Sequence, residues 1–107
     1  MTGFPGQLLS GNGTSPPIHT SFKTGELWYH PWQLGVMVVF SPGAILTATV
    51  QVSMDPPDLF QYWNNHDVLQ NISASANSAC AYPVTGLRLV VTNWSAGSAY
   101  LAVATWP

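Results

Sequence analysis

Charged side chains are scarce in this sequence of 107 residues, because Asp, Glu, Lys and Arg together make up only 6% of it. Ordinary soluble domains contain about 25% of these residues. A surface with so little charge favours association with other surfaces. Two interpretations stay open: a lone domain kept in solution by Ser, Thr, Asn and Gln, or a subunit packed against other subunits.

Basic residues are almost missing, since Lys23 and Arg88 are the only two in the sequence. A protein that binds the nucleic-acid backbone neutralises several phosphates with Lys and Arg. Two basic residues form no such surface. Nucleic acid is therefore excluded as a partner.

Cysteine is also scarce, and the single Cys80 has no partner for a disulfide within the chain. It lies between two alanines, and no neighbouring cation in the sequence would lower its pKa and make it reactive. We predict that Cys80 is a small buried residue rather than a nucleophile.

A long run without charge, residues 27–54, does not predict a membrane helix. Pro31, Gly35, Pro42 and Gly43 interrupt the run. The second half of the run alternates polar and apolar residues, whereas a membrane helix is apolar throughout. We therefore expect no membrane partner.

The first 17 residues are rich in Gly, Pro, Ser, Thr and Asn. This composition predicts an extended arm over 1–17 and a folded domain over 18–107. An arm that reaches a neighbouring subunit and a frayed terminus are both compatible with it.

Two adjacent segments predict the strongest pair of strands. Residues 33–40 are largely apolar on both faces, which suits a central strand covered on both sides. Residues 44–54 alternate apolar and polar side chains, which is typical of a half-buried strand. Because Ser-Pro-Gly at 41–43 is a turn sequence, we predict a hairpin.

The rest of the chain continues the β pattern without an amphipathic helix. Residues 84–92 and 98–106 alternate around a turn and predict a second hairpin. Between the hairpins we expect a loop over 58–67 with one helical turn and a short strand around 68–74. The predicted fold is all-β: a single β-sandwich or jelly-roll-like domain with an extended N-terminal arm.

The carboxylates give little support for acid–base catalysis. Asp55 and Asp58 flank two prolines, and an Asp at such a turn commonly accepts hydrogen bonds from the local backbone. A catalytic pair of carboxylates is the alternative. The turn role is the one that we predict.

The histidines His19, His30 and His66 lack the short spacing of a metal motif. His66 beside Asp67 has two interpretations, an oriented base or a polar histidine of a loop. No nucleophile is linked to it by a motif. We therefore predict the loop role, no enzyme activity, no metal and no cofactor.

Aromatic side chains are the one feature of the sequence that suggests binding. Three lie before the first strong strand, one lies in the middle loop, and one lies in the last turn: Trp28, Tyr29, Trp32, Trp63 and Trp94. Such residues pack in cores, anchor protein interfaces or stack on sugar rings. All three interpretations stay open at this point.

Several segments resemble small structural proteins of tailed-bacteriophage virions. The last third carries the likeness: AYPVTGLRLVVT at 81–92, a short turn with glycine, then YLAV at 100–103. In the middle, HPWQLGV at 30–36 and ATVQVSMDP at 48–56 are similar to that family, as is the aromatic loop with Asn and His that follows.

The resemblance implies a non-enzymatic β-sandwich protein of the virion, assembled in the cytoplasm of the bacterial host. Head decoration (a cement protein) is the commonest role, and a tail or fibre component is the next. The implied partners are the major capsid protein or other virion proteins, and further copies of the chain, with a trimer favoured. The family supplies no catalytic residues.

Scarce charge and turn-located aromatics are compatible with that role, because an interface buries aromatic surface and avoids unpaired charge. We predict that Trp28, Tyr29, Trp32, Trp63 and Trp94 contact the partner. A carbohydrate-binding module that uses exposed Trp and Tyr is the alternative from another class. In an assembly, we expect Arg88 to pair with an acid or to cap backbone carbonyls.

Overall fold

The computed structural model describes residues 2–3, 6–20, 22–24, 27–29, 34–55, 59–80 and 84–105. These residues contain strands and no helix. The strands are β1 (Thr2–Gly3), β2 (Gln7–Leu9), β3 (Gly13–Thr14), β4 (Ile18–His19), β5 (Phe22–Thr24), β6 (Leu27–Tyr29), β7 (Leu34–Phe40), β8 (Ile45–Ser53), β9 (Asn64–Asn65), β10 (Ala76–Cys80), β11 (Gly86–Ala96) and β12 (Ala99–Thr105).

The strands form two main antiparallel sheets that pack against each other. In sheet A, β1 and β2 both pair with β12, which is followed by β7 and β10. In sheet B, β3 and β4 both pair with β11, which is followed by β8 and β9. Strands β5 and β6 pair separately. The predicted all-β sandwich is confirmed.

Alternate residues of both sheets point between them and form the core. Each large aliphatic side chain buried here contributes roughly 2 kcal/mol relative to an exposed one. The central members are Leu34, Val36, Val38, Leu46, Ala48, Val50, Val52, Leu87, Leu89, Val91, Leu101 and Val103. The strand alternation predicted these inward positions, because successive side chains of a strand point to opposite faces.

Both predicted hairpins are wrong, because each pair of consecutive strands is divided between the sheets. Strand β7 lies in sheet A and β8 in sheet B, while β11 lies in sheet B and β12 in sheet A. The pairs that form are β8 with β11 and β7 with β12. Alternation defines the buried face of a strand, but it does not identify the neighbouring strand.

The two connections between sheets lie side by side and bind each other. The Ser41 N–H donates to the Ser98 carbonyl at 2.9 Å. The Ser98 N–H donates to the Ser41 hydroxyl, also at 2.9 Å. These bonds join the two crossings at one end of the sandwich.

The middle of the chain also differs from its prediction. Residues 59–67 contain β9 and no helical turn, and residues 68–74 contain one isolated bridge, Ile72 with Ala48, instead of a strand. The strand lies later, at Ala76–Cys80, where small residues have weak β preference. Its pairing with β7 supplies the order that the local sequence does not predict.

The described parts of the N-terminal segment lie along the chain's own sheets. Strands β1 and β2 extend sheet A beside β12, and β3 extends sheet B beside β11. The Ser15 hydroxyl accepts the Leu89 N–H at 2.9 Å. Contact between this arm and a neighbouring subunit stays a prediction.

Candidate functional site

The outer face of sheet A is apolar and open to solvent. Its four large side chains, Leu8, Met37, Val39 and Tyr100, are 60%, 43%, 39% and 39% exposed. We name this surface the apolar sheet face, and its members are Leu8, Gly35, Met37, Val39, Asn77, Ala79, Tyr100, Ala102 and Ala104.

Strand register arranges the apolar sheet face as a ridge beside a hollow. The ridge is the row formed by Leu8, Tyr100 and Val39 across three strands. At the other end, Gly35 and Ala104 lie opposite each other and leave a shallow hollow of about 230 Å³. A protruding apolar side chain of another protein therefore has a place to insert.

No residue of β2, β7, β10 or β12 is charged. Covering the apolar sheet face would therefore desolvate no charge of these strands, and taking a charge out of water is costly. The sequence of β7 predicted cover on both sides. In the single chain the inner side is buried, whereas Gly35, Met37 and Val39 are exposed. That prediction is wrong for the isolated chain.

A second surface lies on the outer side of sheet B, where aromatic rings pack around Phe60. The Phe60 ring centroid is 5.0 Å from that of His19 and 5.2 Å from that of Trp63. Arg88 lies over Trp63, with Cζ 4.3 Å from the ring centroid. Gly86 permits this packing, because a Cβ there would lie 2.5 Å from the Phe60 ring.

A row of polar side chains crosses sheet B beside these rings. Gln51 of β8 lies between Arg88 of β11 and Asn65 of β9. The Arg88 Nε–H donates to Gln51 Oε1 at 2.7 Å, and Gln51 Nε2 donates to Asn65 Oδ1 at 3.0 Å. The rings and this row together form the Trp63 cluster: His19, Gln51, Phe60, Trp63, Asn65 and Arg88.

Arg88 is half-buried, and its burial lowers the pKa of the guanidinium. Among the described side chains, no carboxylate lies within ion-pair distance of it. We expected an acid or backbone carbonyls as its partners in an assembly. In the single chain, its partners are the Gln51 amide and the Trp63 ring.

Asp55 holds the loop that supplies the aromatic rings. Its Oδ2 accepts the N–H of Gln61 at 2.8 Å and that of Tyr62 at 2.5 Å. The backbone bonds from Tyr62 and then Gln61 lower the pKa of Asp55. Asp55 accepts backbone hydrogen bonds, as predicted, but from residues six and seven positions later. Residues 56–58 of the predicted turn, Asp58 among them, lie outside the described residues.

His66 lies in a loop, as predicted, but it is buried, with 1% of its surface exposed. Its Nδ1 accepts the N–H groups of Val68 and Leu69, both at 3.1 Å. Because Nδ1 is the acceptor, the ring proton lies on Nε2, which donates to the Ala79 carbonyl at 3.1 Å. The ring therefore joins the β9 loop to β10.

Asp67 does not orient His66 as a base. Its Oδ1 lies 3.5 Å from His66 Nδ1, but both atoms are acceptors in this arrangement. The Asp67 side chain is 87% exposed. Since the Nδ1 lone pair faces two backbone N–H groups, it is not directed at a substrate.

Cys80 is buried, as predicted, and its burial, with the Asp67 charge, raises the thiol pKa to about 11.

We expect an aromatic disulfide reagent to label Cys80 slowly in the native protein at pH 8 and rapidly in the urea-unfolded protein, because thiolate is the reactive form. The raised pKa adds stability below pH 9, and this contribution is lost as the pH rises towards 11. Equal labelling rates in the native and unfolded states would contradict this.

The aromatic residues that we predicted as an interface lie in different places. Trp94 is 38% exposed, and its ring N–H donates to the Gly97 carbonyl at 2.8 Å. It lies six residues beyond Arg88 on β11, roughly 20 Å from the Trp63 cluster. Trp28 and Tyr29 lie in β6, and Trp32 lies outside the described residues. Their role as a partner contact stays a prediction.

Sequence reasoning missed the apolar sheet face as a site, and of the Trp63 cluster it named only Trp63 as a binding residue. The signal for the apolar sheet face was present, because residues 34–40 contain no polar side chain on either face of the strand. The polar row gave no signal, since Gln51 and Arg88 are 37 residues apart in sequence. Only the pairing of β8 with β11 brings them together.

In the described part of the chain, no three His, Cys, Asp or Glu side chains gather in a way that would hold a metal ion. The same residues include no helix long and apolar enough to span a membrane. Comparison with protein-family models, curated protein sequences and solved structures found no match.

Proposed function

We propose that this chain is a non-enzymatic structural protein of a bacteriophage virion, a capsid decoration protein that binds the capsid surface through the apolar sheet face. The observation that carries the proposal is the uncharged, exposed outer side of β7 and its neighbours. The partner is an apolar protein surface of the particle, formed by the major capsid protein. Virion localisation follows from the same proposal.

The residue pattern of β7 supports a partner on this face. Continuous apolar residues are typical of strands that are covered on both faces. The chain itself covers only Leu34, Val36 and Val38, so Met37 and Val39 lack a cover. Exposed apolar patches of this kind commonly mark interaction sites.

The size of the face indicates weak single contacts. Strand β7 has seven residues, and four adjacent strands make a footprint of about 23 by 19 Å, or about 440 Å². A stable interface buries about 800 Å² per partner. Further contacts, from neighbouring copies or from the N-terminal arm, would strengthen attachment through multivalency. We therefore propose a homo-oligomer on the particle, with a trimer favoured.

Co-sedimentation with phage particles that lack the chain tests the proposal. We expect wild-type protein to sediment with heads and Met37→Glu to bind at least tenfold more weakly, because the new carboxylate would be desolvated without a partner. Ile45→Glu is the control, since Ile45 is 62% exposed but belongs to sheet B. Binding to purified tails instead of heads would favour a tail or fibre role.

Two results would overturn the proposal: wild-type protein that sediments with neither heads nor tails, or Met37→Glu protein that binds as tightly as wild type. Light scattering of the free and particle-bound protein gives the number of copies in one assembly. A mass of three chains is the expected result for the released assembly.

A further inference from the structure

The Trp63 cluster lies on the opposite side of the sandwich from the apolar sheet face. The two sheets pack through their inner sides, so their outer sides point in opposite directions. A partner seated on sheet A therefore leaves Gln51, Trp63 and Arg88 uncovered. The cluster can bind a ligand independently of the proposed particle contact.

The guanidinium of Arg88 is held in a defined orientation. The Gln51 amide oxygen accepts a hydrogen bond from the Arg88 Nε–H, and the Trp63 ring lies against the guanidinium. No side chain in the described ranges bonds to its two terminal nitrogens. A guanidinium fixed in this way binds a planar carboxylate through two parallel N–H···O bonds.

Arg88 also lacks a negatively charged partner among the described residues. Its burial lowers the pKa, which means that the surroundings disfavour the cation. Partial loss of water around a charge is unfavourable unless an opposite charge replaces it. A bound anion would remove this penalty.

Next to this cation, the cluster offers flat apolar rings and amide groups. Trp63 and Phe60 pack as a tilted pair, and both rings are partly exposed to solvent. Asn65 is exposed, and its Oδ1 accepts a hydrogen bond from Gln51 Nε2. The side-chain N–H groups of Asn65 take no part in that bond and can donate to a ligand. A sugar ring matches this mixture, because its C–H face packs on aromatic rings and its hydroxyls bond to amides.

We propose that the Trp63 cluster binds an acidic sugar, a pyranose ring that carries a carboxylate. The carboxylate pairs with the terminal nitrogens of Arg88, the ring packs against the aromatic side chains, and Asn65 donates to a hydroxyl. A neutral sugar would leave the Arg88 cation unpaired. A peptide carboxylate would not use the ring surface beside it.

Two matched pairs of sugars test this proposal on the full chain. The first is trigalacturonic acid against its methyl ester, and the second is sialyllactose against its methyl ester. Each pair differs in its carboxylate charge. We expect at least one acid to bind tenfold or more tightly than its neutral counterpart, with shifts of the Arg88 Nε–H and an indole N–H signal in NMR titrations.

Variants separate the contacts of the site. Arg88→Lys keeps the charge but loses the paired bonds, so we expect at least tenfold weaker binding of the acidic sugar. Asn65→Ala, at an exposed position, should weaken binding severalfold without affecting the fold. Trp94→Phe is the control and should bind as wild type does, since Trp94 lies elsewhere on β11.

The proposal is overturned if neither acidic sugar binds, if the neutral sugars bind equally well, or if Arg88→Lys binds unchanged. Triglutamate that binds more tightly than both acidic sugars would also overturn it and would indicate a peptide ligand. This inference does not depend on the proposed decoration role. Met37→Glu should leave sugar binding unchanged, and Arg88→Lys should leave co-sedimentation with particles unchanged.

Discussion

His66→Ala is expected to lower the free energy of unfolding by about 3 kcal/mol, because it removes one buried ring that satisfies three backbone groups, one buried and two partly buried. The N–H groups of Val68 and Leu69 lose their acceptor, and the Ala79 carbonyl loses its donor. The cavity left by the ring adds to this loss. Urea denaturation followed by tryptophan fluorescence measures the difference.

Asp67→Asn is the matched control for this variant. The Asp67 side chain is 87% exposed, and its carboxylate only adjoins the His66 ring. We expect its unfolding free energy to stay within about 0.5 kcal/mol of wild type. A loss below about 1 kcal/mol for His66→Ala, or an equal loss for both variants, would show that the ring does not hold the loop.

His66 also protects an edge of sheet A. Strand β10 lies at the end of the sheet order, and its sequence has no proline or charge to prevent pairing with another strand. The Ala79 carbonyl on this strand accepts a hydrogen bond from the His66 ring and is not free to bind another strand. We therefore expect His66→Ala to aggregate faster than Asp67→Asn at equal concentration.

The face of each strand could be predicted from the sequence, but the neighbouring strands could not. Alternation in residues 44–54 placed Leu46, Ala48 and Val50 inside, where the structure has them. The same alternation is compatible with a hairpin and with a crossing between sheets. Long-range pairing of β8 with β11 decides between them, and no local turn residue encodes that pairing.

The candidate sites were predicted even less completely, since each depends on residues far apart in sequence. The buried role of His66 requires a carbonyl 13 residues away on another sheet. A local sequence of His followed by Asp does not distinguish a structural ring from a base. The aromatic residues as a group predicted a binding role. Only the fold shows that Trp63 lies beside Arg88, whereas Trp94 bonds to Gly97 in a different part of the sheet.

The junction of the two sheet crossings gives the second large effect. Gly97 has a φ of 82°, which non-glycine residues rarely adopt. A Cβ there would lie 2.6 Å from the Ala44 Cα and 2.8 Å from the Ser41 hydroxyl oxygen. Neither the backbone at Ala44 nor the bonded Ser41 can move away without breaking the bonds between Ser41 and Ser98.

We therefore expect Gly97→Ala to lose about 3 kcal/mol of unfolding free energy, from an unfavourable φ and a backbone overlap together. Its midpoint of thermal unfolding should fall by about 10 °C or more. Gly11→Ala is the control, because Gly11 lacks a positive φ and a Cβ there meets nothing within 4 Å. It should match wild type or be slightly more stable, since alanine restricts the unfolded chain. Equal stability of the two variants would mean that the crossings move apart at little cost, and that the sandwich does not depend on their close contact.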